Sequence, residues 1–114
     1  MRGTVQIGDK AIDMVANGAT PFIYKRVFRR DFLATTQTED MNVYSELAFV
    51  MAMQAEKPMS ELLNKLTVDN FFEWVEGFEA MDIINKAAEI FAIYQGQANP
   101  SSTAKKRNKN RQTI

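Results

Sequence analysis

The 114-residue sequence contains neither cysteine nor histidine. Thiol nucleophiles, Ser-His-Asp triads, Cys/His zinc sites and imidazole acid–base catalysis are therefore excluded. The sequence also lacks a glycine-rich phosphate loop, an internal repeat and any metal-ligand spacing. We therefore predict no catalytic residue, no metal site and no cofactor, and we expect a binding or structural protein rather than an enzyme.

Long apolar runs are missing as well. The longest, Leu47 to Met53, has seven residues, whereas a membrane-spanning helix needs about 20. The N-terminus, MRGTVQIGDK, lacks the apolar stretch of a signal peptide. An apolar content of 46% in a chain of this length predicts a single soluble domain with a core.

The formal net charge is zero, but the charges are unevenly distributed along the chain. Residues 1–30 carry six basic and two acidic side chains, residues 31–99 three basic and twelve acidic, and residues 100–114 five basic and none acidic. One interpretation is a solvated surface followed by a basic tail. The other is that the basic ends attract the acidic middle of a second copy, head to tail, or attract phosphate.

Periodicity predicts a mainly α fold with a short N-terminal β-hairpin. Alternating apolar residues on both sides of Gly8-Asp9-Lys10 indicate the hairpin, over about residues 4–15. Helical spacing predicts four to five helices, over about 21–34, 40–56, 59–66, 68–79 and from Asp82 to just before Gly96. Their start signals are Thr20-Pro21, a possible capping box at 36–39, and Thr67. We expect residues 1–97 to form the domain and 98–114 a disordered basic tail.

One charged residue conflicts with this pattern. Asp31 falls on the apolar face of the first predicted helix, where an unpaired carboxylate is costly. Either a side chain from another element pairs with it, or the helix frays there and Asp31 is hydrated.

Four large apolar residues lie out of phase with the core faces of their helices: Phe49, Met53, Phe72 and Ile93. Exposed apolar patches usually mark interaction sites, and the seven methionines add adaptable apolar surface. These four residues are therefore candidates for partner binding. The alternative is a helix phase or boundary displaced by one or two residues. The helix at 40–56 is apolar nearly all round, which predicts burial on both sides, with a second subunit as the suggested cover.

Two further clusters have competing interpretations. Glu73, Glu76 and Glu79 have helical spacing, which suggests a cation site or an acid–base pair, but a solvated acidic face is favoured. The aromatic group Phe71, Phe72, Trp74 and Phe78 suggests a ligand-binding box, but ordinary core packing is favoured.

The order of the segments resembles a known family. The hairpin VQIGDKAIDMV precedes TPFIYKRVFRRDFL, ELAFVMAMQAEK, FFEWVEGFEAMDIINKAAEIFAIYQGQ and a short basic end. Over roughly residues 4–97, this layout resembles the tail assembly chaperones of long, non-contractile-tailed phages and prophages of Gram-positive bacteria. It is similar to the tape measure protein chaperone of lactococcal siphophages, including short local sequences such as FFEWVEGF and EIFAIYQG.

The resemblance implies a helical protein without catalytic residues. It would bind the tape measure protein in the host cytoplasm, keep it soluble as a homo-oligomeric ring or spiral, and leave as the major tail protein polymerises, so that the mature virion lacks it. Self-association would set Arg26, Arg29 and Arg30 against acids of a neighbouring copy, such as Glu73 or Glu76. An adenine run encoding Lys105-Lys106 would suit a frameshifted longer form that recruits the major tail protein.

The alternative function is a small nucleic-acid-binding protein. The basic face of the first helix and the basic tail favour salt-dependent phosphate binding. The acidic middle of the chain and the lack of a helix-turn-helix signature argue against it.

Overall fold

A computed structural model describes residues 1–31 and 41–97. Its elements in chain order are the strands β1 (Arg2–Ile7) and β2 (Lys10–Val15), the helices α1 (Thr20–Phe28), α2 (Asn42–Glu56), α3 (Met59–Asn64) and α4 (Val68–Val75), a short 3₁₀ helix (Ile84–Lys86) and the helix α5 (Ala87–Tyr94). The predicted fold class, mainly α with an N-terminal β-hairpin, is confirmed. The proposed capping box at 36–39 and the tail at 98–114 lie outside the described residues.

The hairpin is antiparallel and closes through Gly8 and Asp9, with Ile7 opposite Lys10. Gly8 has a φ of 62°, a conformation that favours glycine. Val5, Ile7 and Met14 are fully buried on the inner face of the hairpin. This face is held by helices, since β2 packs against α2 and β1 against α5 and the 3₁₀ helix. A two-stranded hairpin alone would be only marginally stable.

Helix α2 lies at the centre of the domain. It contacts β2 and each of the four other helices, and every residue from Glu46 to Met53 is buried. Both sides of this helix are therefore covered by its own chain, which corrects the suggestion that a second subunit covers one side.

Helix α1 is shorter than predicted. It ends at Phe28 because Arg29 adopts a left-handed conformation, with a φ of 61°, and its backbone N–H donates to the Lys25 carbonyl. Asp31 therefore lies beyond the helix and is exposed, with its carboxylate 3.4 Å from Lys25 Nζ.

The start of α1 also differs from the prediction. Thr20 is the first helical residue rather than the cap. Its hydroxyl accepts a hydrogen bond from the Asn17 N–H and donates one to Gln54 Oε1 of α2 at 2.6 Å.

The C-terminal half of the domain has shorter helices than the periodicity suggests. Thr67 begins α4 with a reciprocal capping box to Asn70, as expected. Helix α4 ends at Val75, and a turn through Asp82 replaces its predicted last residues. Gly96 ends α5 with a φ of 77°, as the sequence predicted. In the described ranges, 1–31 and 41–97, no helix has the length and apolar content needed to cross a membrane.

Candidate partner-binding groove

An open groove of about 510 Å³ lies between the C-terminal half of α2, α3 and α4. The lining is divided by chemistry. Its apolar part is Phe49, Met53, Leu66 and Trp74, and its polar part is Glu56, Lys57, Glu61, Lys65, Asn70 and Glu73. An apolar strip bordered by charges of both signs suits an amphipathic segment, which presents an apolar face with charged side chains beside it.

Local sequence signals place the walls of this groove. Pro58 ends α2, because a residue before proline avoids the helical region, and Lys57 is accordingly extended. Helix α3 starts immediately afterwards, and the Thr67–Asn70 capping box starts α4. These two breaks separate α2, α3 and α4, which border a common space.

Two of the predicted partner-binding residues, Phe49 and Met53, line this groove but belong largely to the core. Phe49 is 1% exposed and Met53 7%. The Phe49 ring packs against Phe28, Phe71 and Trp74, with centroid distances of 6.5, 5.6 and 5.8 Å. Their interpretation as outward-facing residues is corrected: they form the inner end of the groove, and a bound partner would reach only their edges.

The other two predicted partner-binding residues, Ile93 and Phe72, differ strongly in solvent exposure. Ile93 is 1% exposed. It packs where β1 comes close, so that a Cβ added at Gly3 would lie 2.8 Å from Ile93 Cδ1. The interpretation of Ile93 as a partner contact is therefore corrected to a core contact with the hairpin. Phe72, in contrast, is 57% exposed on α4.

The three arginines predicted to mediate self-association have different environments. The Arg30 guanidinium donates to Glu46 Oε2 within the chain, where Tyr24 also donates its hydroxyl to Glu46 Oε1 at 2.5 Å. Arg30 therefore has an acidic partner within its own chain, and its role in self-association stays a prediction. Arg26 is exposed, and its Nε donates to the Leu63 carbonyl at 2.7 Å. Arg29 is exposed and, among the described residues, has no ion pair.

The predicted acidic residues lie on the surface. Glu73, Glu76 and Glu79 are exposed and form no ion pair within the described part of the chain. Within residues 1–31 and 41–97, no three acidic side chains gather closely enough to hold a metal ion. Of the three, Glu73 lines the groove, and Glu79 lines a second cavity.

The aromatic group of α4 and the following turn is only partly core. Phe71 is buried, Trp74 and Phe78 are half-buried, and Phe72 is exposed. The Trp74 and Phe78 rings are 4.9 Å apart, and Lys10 Nζ lies 4.9 Å from the centre of the Phe78 ring. On the far side of α4, a second cavity of about 410 Å³ is lined by Phe72, Phe78 and Glu46 among others. The exposed edge of α4 therefore lies between the groove and this second cavity.

Comparison with known proteins finds no protein family, no curated relative and no solved structure that matches this chain.

The sequence reasoning missed one prominent surface residue. Phe22 of α1 is 73% exposed, more than Phe72. The signal was available, because Phe22 lies one helical turn before Arg26, on the basic face and away from Ile23 and Val27. The out-of-phase criterion that selected Phe72 also selects Phe22.

Proposed function

We propose that this protein is a phage tail assembly chaperone that binds the tape measure protein before the tail tube polymerises. The observation that carries the proposal is the open groove between α2, α3 and α4, with its apolar lining and mixed-charge rim. The resemblance in segment order supplies the identity of the partner. The groove supplies a surface of the right chemistry, since a long helical chain awaiting its tube exposes apolar faces bordered by charges.

The size of the groove limits what one copy can do. A space of about 510 Å³ receives only a few side chains, so one contact is weak. Many copies along one tape measure protein would keep it soluble through multivalency, and weak single contacts would let tube subunits displace them. Self-association into a ring or spiral is therefore part of the proposal.

The same proposal sets the location and the other partners. The protein would act in the host bacterial cytoplasm during assembly and would be absent from the mature virion. A frameshifted longer form would recruit the major tail protein while the helical domain holds the tape measure protein.

The nucleic-acid alternative has less support from the surface. Arg30 is engaged by Glu46, and Arg26 donates to the Leu63 carbonyl. Lys25 lies 3.4 Å from the Asp31 carboxylate. Of these contacts, the Arg30–Glu46 ion pair removes one positive charge from the basic face, and the acidic middle of the chain remains the main argument against phosphate binding.

The test is co-expression with a tape measure protein, using a variant of a half-buried groove residue at the margin of the core. Leu66→Ser alters a half-buried lining residue, and Met81→Ser is the matched control, an exposed apolar residue outside the groove. We expect wild type and Met81→Ser to keep the tape measure protein in the soluble fraction and Leu66→Ser to lose it. Circular dichroism of both variants checks the fold. Full solubilisation by a folded Leu66→Ser variant would contradict the assignment of the groove.

A further inference from the structure

Two exposed helical stripes on this molecule match in length and oppose in charge. The basic stripe on α1 consists of Phe22, Lys25, Arg26 and Arg29, and the acidic stripe on α4 consists of Asp69, Phe72, Glu73 and Glu76. The first three members of each set have the i, i+3, i+4 spacing that places side chains on one face of a helix, and Arg29 and Glu76 directly follow the last residue of their helices. The helical part of each stripe extends about 6 Å along its helix.

A phenylalanine is exposed within each stripe. Phe22 is 73% exposed and Phe72 57%, the two highest values among the large apolar residues of the described chain. Exposed aromatic side chains bordered by charge are typical of contact surfaces, because aromatic rings supply much of the binding energy at interface centres.

The acidic side chains of the acidic stripe form no ion pair within residues 1–31 and 41–97. They are Asp69, Glu73 and Glu76, and α4 contains no basic side chain. Its like charges repel one another, so an opposite charge brought to this face is favourable.

Part of the positive charge of the basic stripe is not paired with an acidic side chain of the described chain. Arg29 has no ion pair within the described chain, and Arg26 uses its Nε for the Leu63 carbonyl. Lys25 shares a solvent-exposed contact with Asp31, a type of pair that contributes little stability. Three positive charges therefore face outward around Phe22.

We propose that the acidic stripe of one copy binds the basic stripe of a second copy, with Phe72 and Phe22 at the centre of the contact. The two stripes are different surfaces of the same chain, so the contact is heterologous and leaves one free stripe at each end of a pair. Such contacts produce a closed ring or an open spiral according to the rotation between copies. This inference deepens the proposed function, resting on it only for self-association, and replaces Arg30 in the predicted interface with Phe22 and Lys25.

The first experiment is charge reversal followed by sedimentation velocity across protein concentration at low salt. Arg29→Glu reverses one charge of the basic stripe. Arg2→Glu is the matched control, an exposed arginine on β1 with the same change in net charge. We expect wild type and Arg2→Glu to associate with increasing concentration, and Arg29→Glu to associate about tenfold more weakly. Equal association of Arg29→Glu and wild type overturns the inference, as does an equal loss in Arg2→Glu.

A mixing experiment tests the direction of the contact. Phe22→Ala/Arg29→Gln removes the aromatic ring and one charge of the basic stripe and keeps the acidic stripe intact, and Phe72→Ala/Glu76→Gln does the same to the acidic stripe and keeps the basic stripe intact. We expect each variant alone to be monomeric and their mixture to form a one-to-one dimer that does not grow with concentration. A mixture that stays monomeric overturns the pairing of the two stripes.

These outcomes are separable from those of the groove. Wild-type protein that is monomeric at every concentration overturns this inference, while tape measure solubilisation by the same sample still supports the groove. Loss of solubilisation in Leu66→Ser with intact self-association supports both.

Discussion

Glu46 is the residue with the most demanding environment in the domain. It is 8% exposed in the middle of α2, and its two carboxylate oxygens receive the Tyr24 hydroxyl and the Arg30 guanidinium. A buried carboxylate is tolerated only with such partners. This cluster links α2 to Tyr24 within α1 and to Arg30 just after α1 ends. Its loss therefore affects both helices.

We expect Glu46→Ala to lower the free energy of unfolding by about 2 kcal/mol, because it removes the carboxylate that accepts hydrogen bonds from Tyr24 and Arg30. Tyr24→Phe removes only the hydroxyl and should cost about 1 kcal/mol. Urea denaturation measures both, and the double variant gives the coupling. If the two losses add fully, the hydrogen bond between these side chains does not contribute.

Gly8 offers a second prediction at the level of one residue. Its φ is 62°, and an added Cβ would lie 2.6 Å from Asp82 Oδ2. Gly8→Ala should therefore destabilise the domain by about 1 kcal/mol. Gly18 is the control, since a Cβ there meets nothing within 4 Å. A thermal melt in which both variants match wild type would contradict the strain assigned to the turn.

At the level of elements, α2 explains why periodicity misled the search for partner residues. Its apolar residues point in nearly all directions, which indicated surplus surface for a partner. The structure covers those directions with β2 and the four other helices. Burial of this helix is a property of the packing around it, which a pattern within one segment does not contain.

A comparison of two phenylalanines tests this correction. Phe49→Ala should cost about 3–5 kcal/mol of unfolding free energy, since the ring is 1% exposed and packs against three other rings. Phe72→Ala removes the same group from a side chain that is 57% exposed and should change stability by less than about 0.5 kcal/mol. Chemical denaturation of both variants under the same conditions measures the two losses of unfolding free energy. Similar losses would contradict the burial of Phe49 on α2.

For the whole molecule, charge separates the domain from the tail. All fourteen acidic residues lie within residues 1–97, together with nine of the fourteen basic ones, so removal of 98–114 leaves a charge of −5. The zero net charge of the full chain therefore depends on five basic residues beyond Gln97.

We expect a chain of residues 1–97 to melt within about 2 °C of the full chain, because the described core and the residues packed against it extend no further than Tyr94. Any binding to polyanions such as heparin should disappear with the tail, since the remaining protein is acidic. Calorimetry and a heparin column make the two measurements. A large fall in melting temperature would contradict the predicted domain boundary.

The sequence by itself determined the elements whose signals are local. The Gly8-Asp9 turn, the Thr67 cap, the stop at Pro58 and the end at Gly96 each act through backbone conformation within a few residues, so each was readable without a fold. Tertiary structure alone decided which apolar faces are core. Phe49 and Ile93 are buried by residues distant in the chain, Arg30 is neutralised by Glu46, and Phe22 and Phe72 remain exposed. Burial and ion pairing depend on which residues of other segments pack nearby. The periodicity within one helix does not contain that information.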